Sequence, residues 1–378
     1  TMESGIKSSI DESDKKYDVA SWIEDIAASI KTFKLNSKTE IHVAETDKRV
    51  VKYLNERTSH FRVLVIQYKT IIAFKVIITL VMLVIGTYLL VNQQLNIGAF
   101  IATEIVVLTI MAAVEKLIIS LESYYDVIAA LSKLNKVTDL PEEDLGAITL
   151  ENQNSGFEIE FKEVNFAFND YQMILENVNF KIAENSLNVI TGSLGSGKSL
   201  LLNMMTGFYE PSSGRILIDK IPLKNVDKIS LRNQIGMFLE DMTIIKGTVY
   251  ENIVLGQTHI SAEQILEISE EIGVDDFSSQ FSNGFFTKIS ETDTEISFSS
   301  KKKIMLLRAL VGERRLLILE DPLDGMDDVF KIKMREHLSN LKENTTVIVV
   351  SEDPEMIEIA DQHLHIEEGT VKILFNKN

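Results

Sequence analysis

One stretch restricts the fold of this chain more than any other. A short β-type segment, residues 187–190, runs into Gly192-Ser193-Leu194-Gly195-Ser196-Gly197-Lys198-Ser199, and an apolar run opening with Leu200 follows. Strand, glycine-rich loop and helix in that order make a P-loop, whose backbone N–H groups curl inward around phosphate oxygens. The positive end of the following helix adds to that attraction. The spacing assigns Gly192 through Leu200 to a nucleotide's phosphates, with Lys198 on the β- and γ-phosphates and the Ser199 hydroxyl on Mg²⁺.

The second constraint is hidden by composition, since 45% hydrophobic and 25% charged residues are ordinary for a globular protein. Residues 71–91 are apolar apart from Lys75, Gly86, Tyr88 and two threonines. A hydrocarbon core takes about 20 residues of helix to cross, and this run is long enough. A short uncharged loop, residues 92–96, leads to a second apolar run at 97–119 that contains Glu104 and Glu115. Arg49, Lys52, Arg57, Arg62 and Lys69 precede the first run, Lys133 and Lys136 follow the second, and the loop between has no Lys or Arg. The positive-inside rule then puts both ends of the hairpin in the cytoplasm. Glu104 is expected to face a cavity or partner, or to be satisfied at a helix–helix contact. Lys75, near the cytoplasmic end, is expected to snorkel outward.

Upstream, residues 1–20 are polar. A helical period appears only from Val19, with Trp22, Ile23, Ile26, Ile30 and Phe33 at spacings of three and four. Residues 40–61 continue as helix. A polar, proline-containing linker is expected at 141–156, then strands at 157–168 and 178–182, mixed strands and helices, and a late buried strand at 346–350. The net charge of −18 excludes nucleic acid as a major partner, and the absence of cysteine excludes disulfides and thiolate metal sites.

A further landmark is Leu316-Leu-Ile-Leu-Glu320-Asp321-Pro322, an apolar strand ending in two acids. Phosphoryl transfer calls for one acid that holds Mg²⁺ through water and another that polarises the attacking water. Taken with these, several segments resemble an ABC transporter of the exporter type, in which membrane helices precede an ATP-binding cassette. Residues 231–253 resemble the Q-loop segment, 284–291 the approach to the signature, and 296–310 the signature and its helix. Residues 324–327 resemble the D-loop, 347–352 the switch region, and Phe168 the A-loop aromatic that stacks on adenine.

The departures from that family are as informative as the matches. The Walker B acid and the catalytic acid stand in reversed order, Glu320 then Asp321. Glu240 stands for the Q-loop glutamine. In the signature Ser297 is kept, but Phe298 and Ser299 replace two glycines and Ser300 replaces a glutamine. Asp327 keeps the D-loop acid, and Glu352 stands for the switch histidine. Glycines at a signature let backbone approach a γ-phosphate closely, and Phe298 obstructs that approach. Asp321 is shorter than Glu by about 1.5 Å, and a misplacement near 1 Å can cost about 100-fold when positioning is the catalysis.

The resemblance implies a multi-domain chain: an α-helical transmembrane segment followed by an α/β P-loop NTPase domain. Residues 1–140 would be a partial exporter membrane domain with spans at about 71–91 and 97–119, and 157–378 the cassette. It also implies ATP and Mg²⁺ as cofactors, with Ser199, Glu240 and Glu320 around the metal and Asp321 and Glu352 as the catalytic pair. The partners implied are a second half-transporter in a homo- or heterodimer, the lipid bilayer and an unidentified substrate. The location implied is a bacterial inner membrane with the cassette in the cytoplasm. Two spans match the last pair of the family's six, so a chain lacking the first four is expected, and residues 14–22 are expected to form the turn that docks on a partner cassette. Hydrolysis is expected to be impaired. The competing reading is a non-transporting ATP-binding homologue that acts as a sensor or scaffold.

Overall fold

The structure, a computed structural model, describes residues 2–36, 40–168, 173–274, 281, 283–290 and 296–377. It divides into two compact units, residues 1–142 and 143–378.

The first unit is helical: α1 (Met2–Ala28), α2 (Ile30–Leu35), α3 (Ile41–Val91) and α4 (Ile97–Thr138). Contrary to the expectation from periodicity, α1 begins at Met2, and residues 14–22 lie inside it with no turn there. The reason is that the polar face of α1 is met by polar groups on its neighbours, so no apolar stripe is needed. Asp14 pairs with Lys133 of α4 and Asp18 with Arg49 of α3. The Ser8 hydroxyl lies 2.9 Å from Nδ1 of the buried His60, and the Trp22 indole N–H donates to Thr46 Oγ1 at 2.9 Å. The chain turns instead at Ser29, ahead of the six-residue α2.

Both α3 and α4 are long and apolar enough to cross a membrane by length and composition. The expected polar extension and the first span are one continuous helix, α3. Asn96 closes the hairpin loop by accepting the Ala99 N–H at 2.7 Å, an N-cap for α4. Lys75, expected to snorkel, has a partner on the other helix of the hairpin. It forms an ion pair with Glu115 across the two helices, which removes two isolated charges from an apolar stretch. Glu104 is half-buried.

The second unit opens with residues 143–156, which pack on it. Ile148 bridges to Val226, Leu150 is buried, and Glu143 accepts both guanidinium N–H groups of Arg232 at 2.8 and 2.5 Å. Then come β1 (Ile159–Ala167), β2 (Met173–Ile182), β3 (Leu187–Gly192), α5 (Lys198–Met205), β4 (Ser213–Ile218), β5 (Ile221–Pro222), α6 (Lys228–Arg232) and β6 (Ile235–Phe238). They are followed by β7 (Gly247–Thr248), α7 (Val249–Val254), α8 (Ala262–Glu271), β8 (Lys288–Ile289) and α9 (Phe298–Leu310). The chain closes with β9 (Leu316–Glu320), α10 (Asp328–Leu341), β10 (Thr346–Val350), α11 (Pro354–Ile359), β11 (Gln362–Glu367) and β12 (Thr370–Asn376).

Among the described residues the strands form two main sheets. One is antiparallel, in the order β2-β1-β4-β5, with Phe161 stacked on its cross-strand partner Phe180 at 4.5 Å. The other has the order β12-β11-β3-β10-β9-β6 and is parallel except at β12. Its central strands are buried on both faces. Val189, Leu317, Leu319, Val347 and Val349 pack on one side with Phe330 and Leu338 of α10. Ile190, Leu316, Ile318, Ile348 and Val350 pack on the other with Leu201 and Met205 of α5. That is why these strands read as continuous apolar runs without alternation. The parallel register sets the strand ends level. Ile190 pairs with Val350, Val350 with Glu320, and Leu319 with Phe238, so residues 192, 320, 352 and 240 all emerge at one carboxyl edge.

Candidate nucleotide site at the sheet's carboxyl edge

The loop leaving β3 is shaped by its glycines. A Cβ at Gly192 would meet the Ile366 carbonyl oxygen at 2.4 Å, and Gly197, which caps α5, has φ of +102°, the left-handed region that glycine tolerates. The loop tip is open to solvent, with Leu194 fully exposed, while Ser196 is buried and its hydroxyl has no hydrogen-bond partner among the described residues. The Lys198 ammonium folds back along the loop and donates to the carbonyls of Gly192 at 2.5 Å and Ser193 at 3.0 Å. These contacts use two of its three N–H donors on neutral acceptors, which an anion entering the loop would displace.

Glu320, at the end of β9, joins three elements. Its Oε1 accepts the Ser199 hydroxyl at 2.5 Å, and its Oε2 accepts the backbone N–H of Glu240 at 3.2 Å. Glu320 is buried, whereas the Glu240 and Asp321 side chains are exposed. Asp321 has φ of +44°, a conformation Asp tolerates better than most side chains, and its N–H donates to the Val350 carbonyl at 2.9 Å. Partial desolvation and the neighbouring Glu320 raise the Asp321 carboxyl above its ordinary value, against the opposing pull of Lys198 and Lys302. From the end of β10, Glu352 reaches back so that its Oε1 accepts the Gly192 N–H at 2.9 Å. The sequence-derived residues Gly192–Ser199, Glu240, Glu320, Asp321 and Glu352 therefore converge in space.

Hard oxygen donors suit Mg²⁺. The Ser199 hydroxyl and Glu320 carboxylate, already within hydrogen-bond distance, fit such an ion, with the exposed Glu240 carboxylate on the adjoining segment. Phe168 is exposed and packs edge-on against Phe166 at 5.0 Å and Tyr209 at 5.6 Å, an aromatic patch on the antiparallel sheet. Sequence reading missed Tyr209, which the aromatic pair Phe208-Tyr209 shortly after the P-loop helix could have signalled.

The signature residues sit on α9. Ser297 is its N-cap, accepting the Ser300 N–H at 3.0 Å, and Phe298 projects from the first turn at 78% exposure. Asp327 caps α10 by accepting the Phe330 N–H at 2.9 Å. Two further groups went unread. Arg308 of α9 donates to the Asn252 and Thr243 carbonyls at 2.8 and 3.0 Å. The Thr191 hydroxyl, beneath the loop, lies 2.8 Å from His363 Nε2 and 2.9 Å from His365 Nδ1; burial holds His363 below the usual histidine range. Glu291, the last residue of the expected signature approach, lies outside the described residues.

An ABC transporter family model matches residues 175–324. An uncharacterised ABC transporter ATP-binding protein of Bacillus subtilis strain 168, YknV, is 27% identical over 77% of this chain and 49% of its own length. The alpha-hemolysin translocation ATP-binding protein HlyB of Escherichia coli O157:H7 is 28% identical over 94% of this chain and 51% of its own. The chain thus spans about half the length of these curated relatives. A bacterial Atm1-family ABC exporter solved with ATP bound superimposes with a TM-score of 0.85 at 19% identity, covering 98% of this chain and 65% of that one. Apolar helices ahead of an α/β cassette, a P-loop facing an acid pair and these matches agree: residues 175–324 carry an ABC transporter cassette, and the chain is similar in sequence and fold to exporter-type ABC transporters.

Proposed function

We propose that this chain is the ATP-binding subunit of a membrane exporter, and that it binds ATP well but hydrolyses it slowly. The observation that carries this is the convergence of Lys198, Ser199 and Glu320 at the mouth of a glycine-shaped loop. In this reading Phe168 stacks on adenine and the loop from Gly192 to Leu200 takes the phosphates. Ser199, Glu240 and Glu320 hold Mg²⁺, which when bound neutralises charge on the phosphates. Asp321 holds the attacking water, and Glu352 occupies the switch position. Ser297–Ser300 and Asp327 serve the site shared with a second cassette, in a homo- or heterodimer.

Slow hydrolysis follows from the residues themselves. Asp321 is one bond short for a water-polarising acid, Glu352 brings a negative charge where a proton-bearing group would help, and Phe298 crowds the signature turn. The two apolar helices support a multi-pass membrane location with both hairpin ends, and the cassette, in the cytoplasm. The test is turnover of the purified, reconstituted chain. Rates well below about 1 s⁻¹, under the ordinary enzyme range, are expected. Glu320→Asp, Asp321→Glu, Phe298→Gly, Ser299→Gly and Glu352→His combined should raise them by orders of magnitude. Turnover of about 1–10 s⁻¹ in the unmodified protein would mean that the reversed acids work as they stand.

A further inference from the structure

The run Lys301-Lys302-Lys303 on α9 looks in sequence like a solvated basic face, but Lys302 is only 6% exposed. It shares a helix stripe with Met305, Leu306 and Ala309, all buried, and its stem follows them inward. Its ammonium lies 5.7 Å from the Phe238 ring and donates to two backbone carbonyls, Asp321 O at 2.8 Å and Asp324 O at 2.6 Å. These carbonyls belong to one tight turn. The Asp324 N–H donates to the Asp321 carbonyl at 3.3 Å and the Met326 N–H to Leu323 at 3.3 Å, while Asp321 itself holds a left-handed φ of +44°. A turn with that backbone strain persists only where its surroundings over-determine it, and charge-assisted hydrogen bonds from a buried ammonium are strong enough to do so.

We propose that Lys302 is a positioning residue of the nucleotide centre: its ammonium, carried on the signature helix, pins the Asp321–Asp324 turn and thereby fixes where the Asp321 carboxylate stands. The arrangement has a second consequence. Under the proposed function the N-terminus of α9, with Phe298, serves the site shared with a second cassette, and the turn after β9, with Asp321, serves the site on this chain's own loop. Lys302 makes them one rigid piece, so a displacement of the signature end is felt at Asp321. Burial holds the Lys302 ammonium below the usual lysine range, while Asp324, Asp321 and Glu240 oppose that effect.

The test compares Lys302→Met, which keeps the stem and removes the donors, with Lys302→Arg, which keeps a cation. The first readout is amide exchange of the full chain in detergent, followed by mass spectrometry. Exchange over residues 321–326 should rise about tenfold or more in Lys302→Met, a lower bound set by the loss of even one of its two charge-assisted hydrogen bonds. Peptides of β3 and α10 should keep their rates, and Lys302→Arg should restore protection. Unchanged exchange at 321–326, or acceleration throughout the cassette, overturns the inference. The second readout is single-turnover hydrolysis beside ATP affinity, and it rests on the proposed role of Asp321. Lys302→Met should lower the rate constant about 100-fold, as for a misplacement near 1 Å, with the ATP dissociation constant within about threefold of the parent. Loss of affinity in step with rate overturns the positioning role. A parent protein that binds no ATP defeats the proposed function, while the exchange result still decides the role of Lys302.

Discussion

Glu352 is the residue whose removal separates two effects that usually travel together. Its carboxylate accepts the N–H of the buried Gly192, and the Lys198 ammonium donates to the carbonyl of the same residue. Carboxylate and ammonium thus flank one backbone unit, so a triphosphate drawn in by Lys198 would stand near Glu352, at a separation taken as roughly 8 Å. At that distance two unit charges repel by about 0.5–2 kcal/mol for effective dielectrics between about 80 and 20. Glu352→Gln removes the charge and keeps an oxygen for Gly192, so ATP should bind about 2- to 30-fold more tightly with an unchanged melting temperature. Glu352→Ala also removes the charge but leaves the Gly192 N–H without its partner. That costs about 1 kcal/mol, the low end of the range because the Glu352 side chain is exposed and water can replace it. For a domain of about 150–250 residues it corresponds to about 2–4 °C. Calorimetric titration and a thermal melt of each variant suffice, and the affinity gain should shrink as salt is raised. If Glu352→Gln weakens ATP binding, Glu352 is a ligand of the nucleotide or its metal and the electrostatic argument fails.

Further outcomes follow from other parts of the chain. Cysteines at Gln93 and Ser132, introduced singly into this cysteine-free chain, should differ toward an impermeant reagent on intact cells. Gln93 should label and Ser132 should not, and the reverse pattern would invert the hairpin. Because residues 14–22 lie inside α1, docking on a second cassette is expected of α2 instead. Cysteines at Lys31 or Lys34 should crosslink to residues 240–248 of that cassette, and crosslinks from Lys16 in their place would restore the original expectation. His337 is buried with its Nδ1 2.8 Å from Glu271, and burial holds its pKa below the usual value in spite of that carboxylate. Below about pH 6.5 the unfolded chain gains a proton there that the folded chain does not, so stability falls as pH drops. His337→Phe should lose less melting temperature than the parent between pH 7.5 and 5.5, and an equal loss would remove His337 from the acid response.

The phosphate loop was readable because its chemistry is local: glycine spacing, strand and helix all lie within about twenty residues. The acid pair at 320–321 was readable for the same reason, as an apolar strand with charge at its end. What brings them together is not local. Ser199 meets Glu320 only because β3, β10 and β9 are neighbours in register, and no spacing in the chain states that order. The extent of α1 was missed because its face is satisfied by Asp14–Lys133, Asp18–Arg49 and Ser8–His60 pairs, which leave no apolar period to detect. The pairing of Lys75 with Glu115 was not readable because Glu115 comes from the other helix of the hairpin. Lys302 was hidden inside a lysine triplet, although its spacing to Met305, Leu306 and Ala309 already marked the inward stripe. The α1 acids, Lys75 and Lys302 share one feature, a charge whose partner sits on another element.

In the proposed function, Gly192 through Leu200, with Lys198 at its heart, works as a nucleotide site in a chain whose acid pair, signature glycines and switch have drifted. Calorimetric titration of Mg-ATP into the purified chain and into Lys198→Ala, with Asp321→Ala alongside, measures it directly. Saturable binding to the parent is expected, none to Lys198→Ala, and affinity within a few-fold of the parent for Asp321→Ala. Binding to Lys198→Ala as tight as to the parent, or equal loss in both variants, would contradict it.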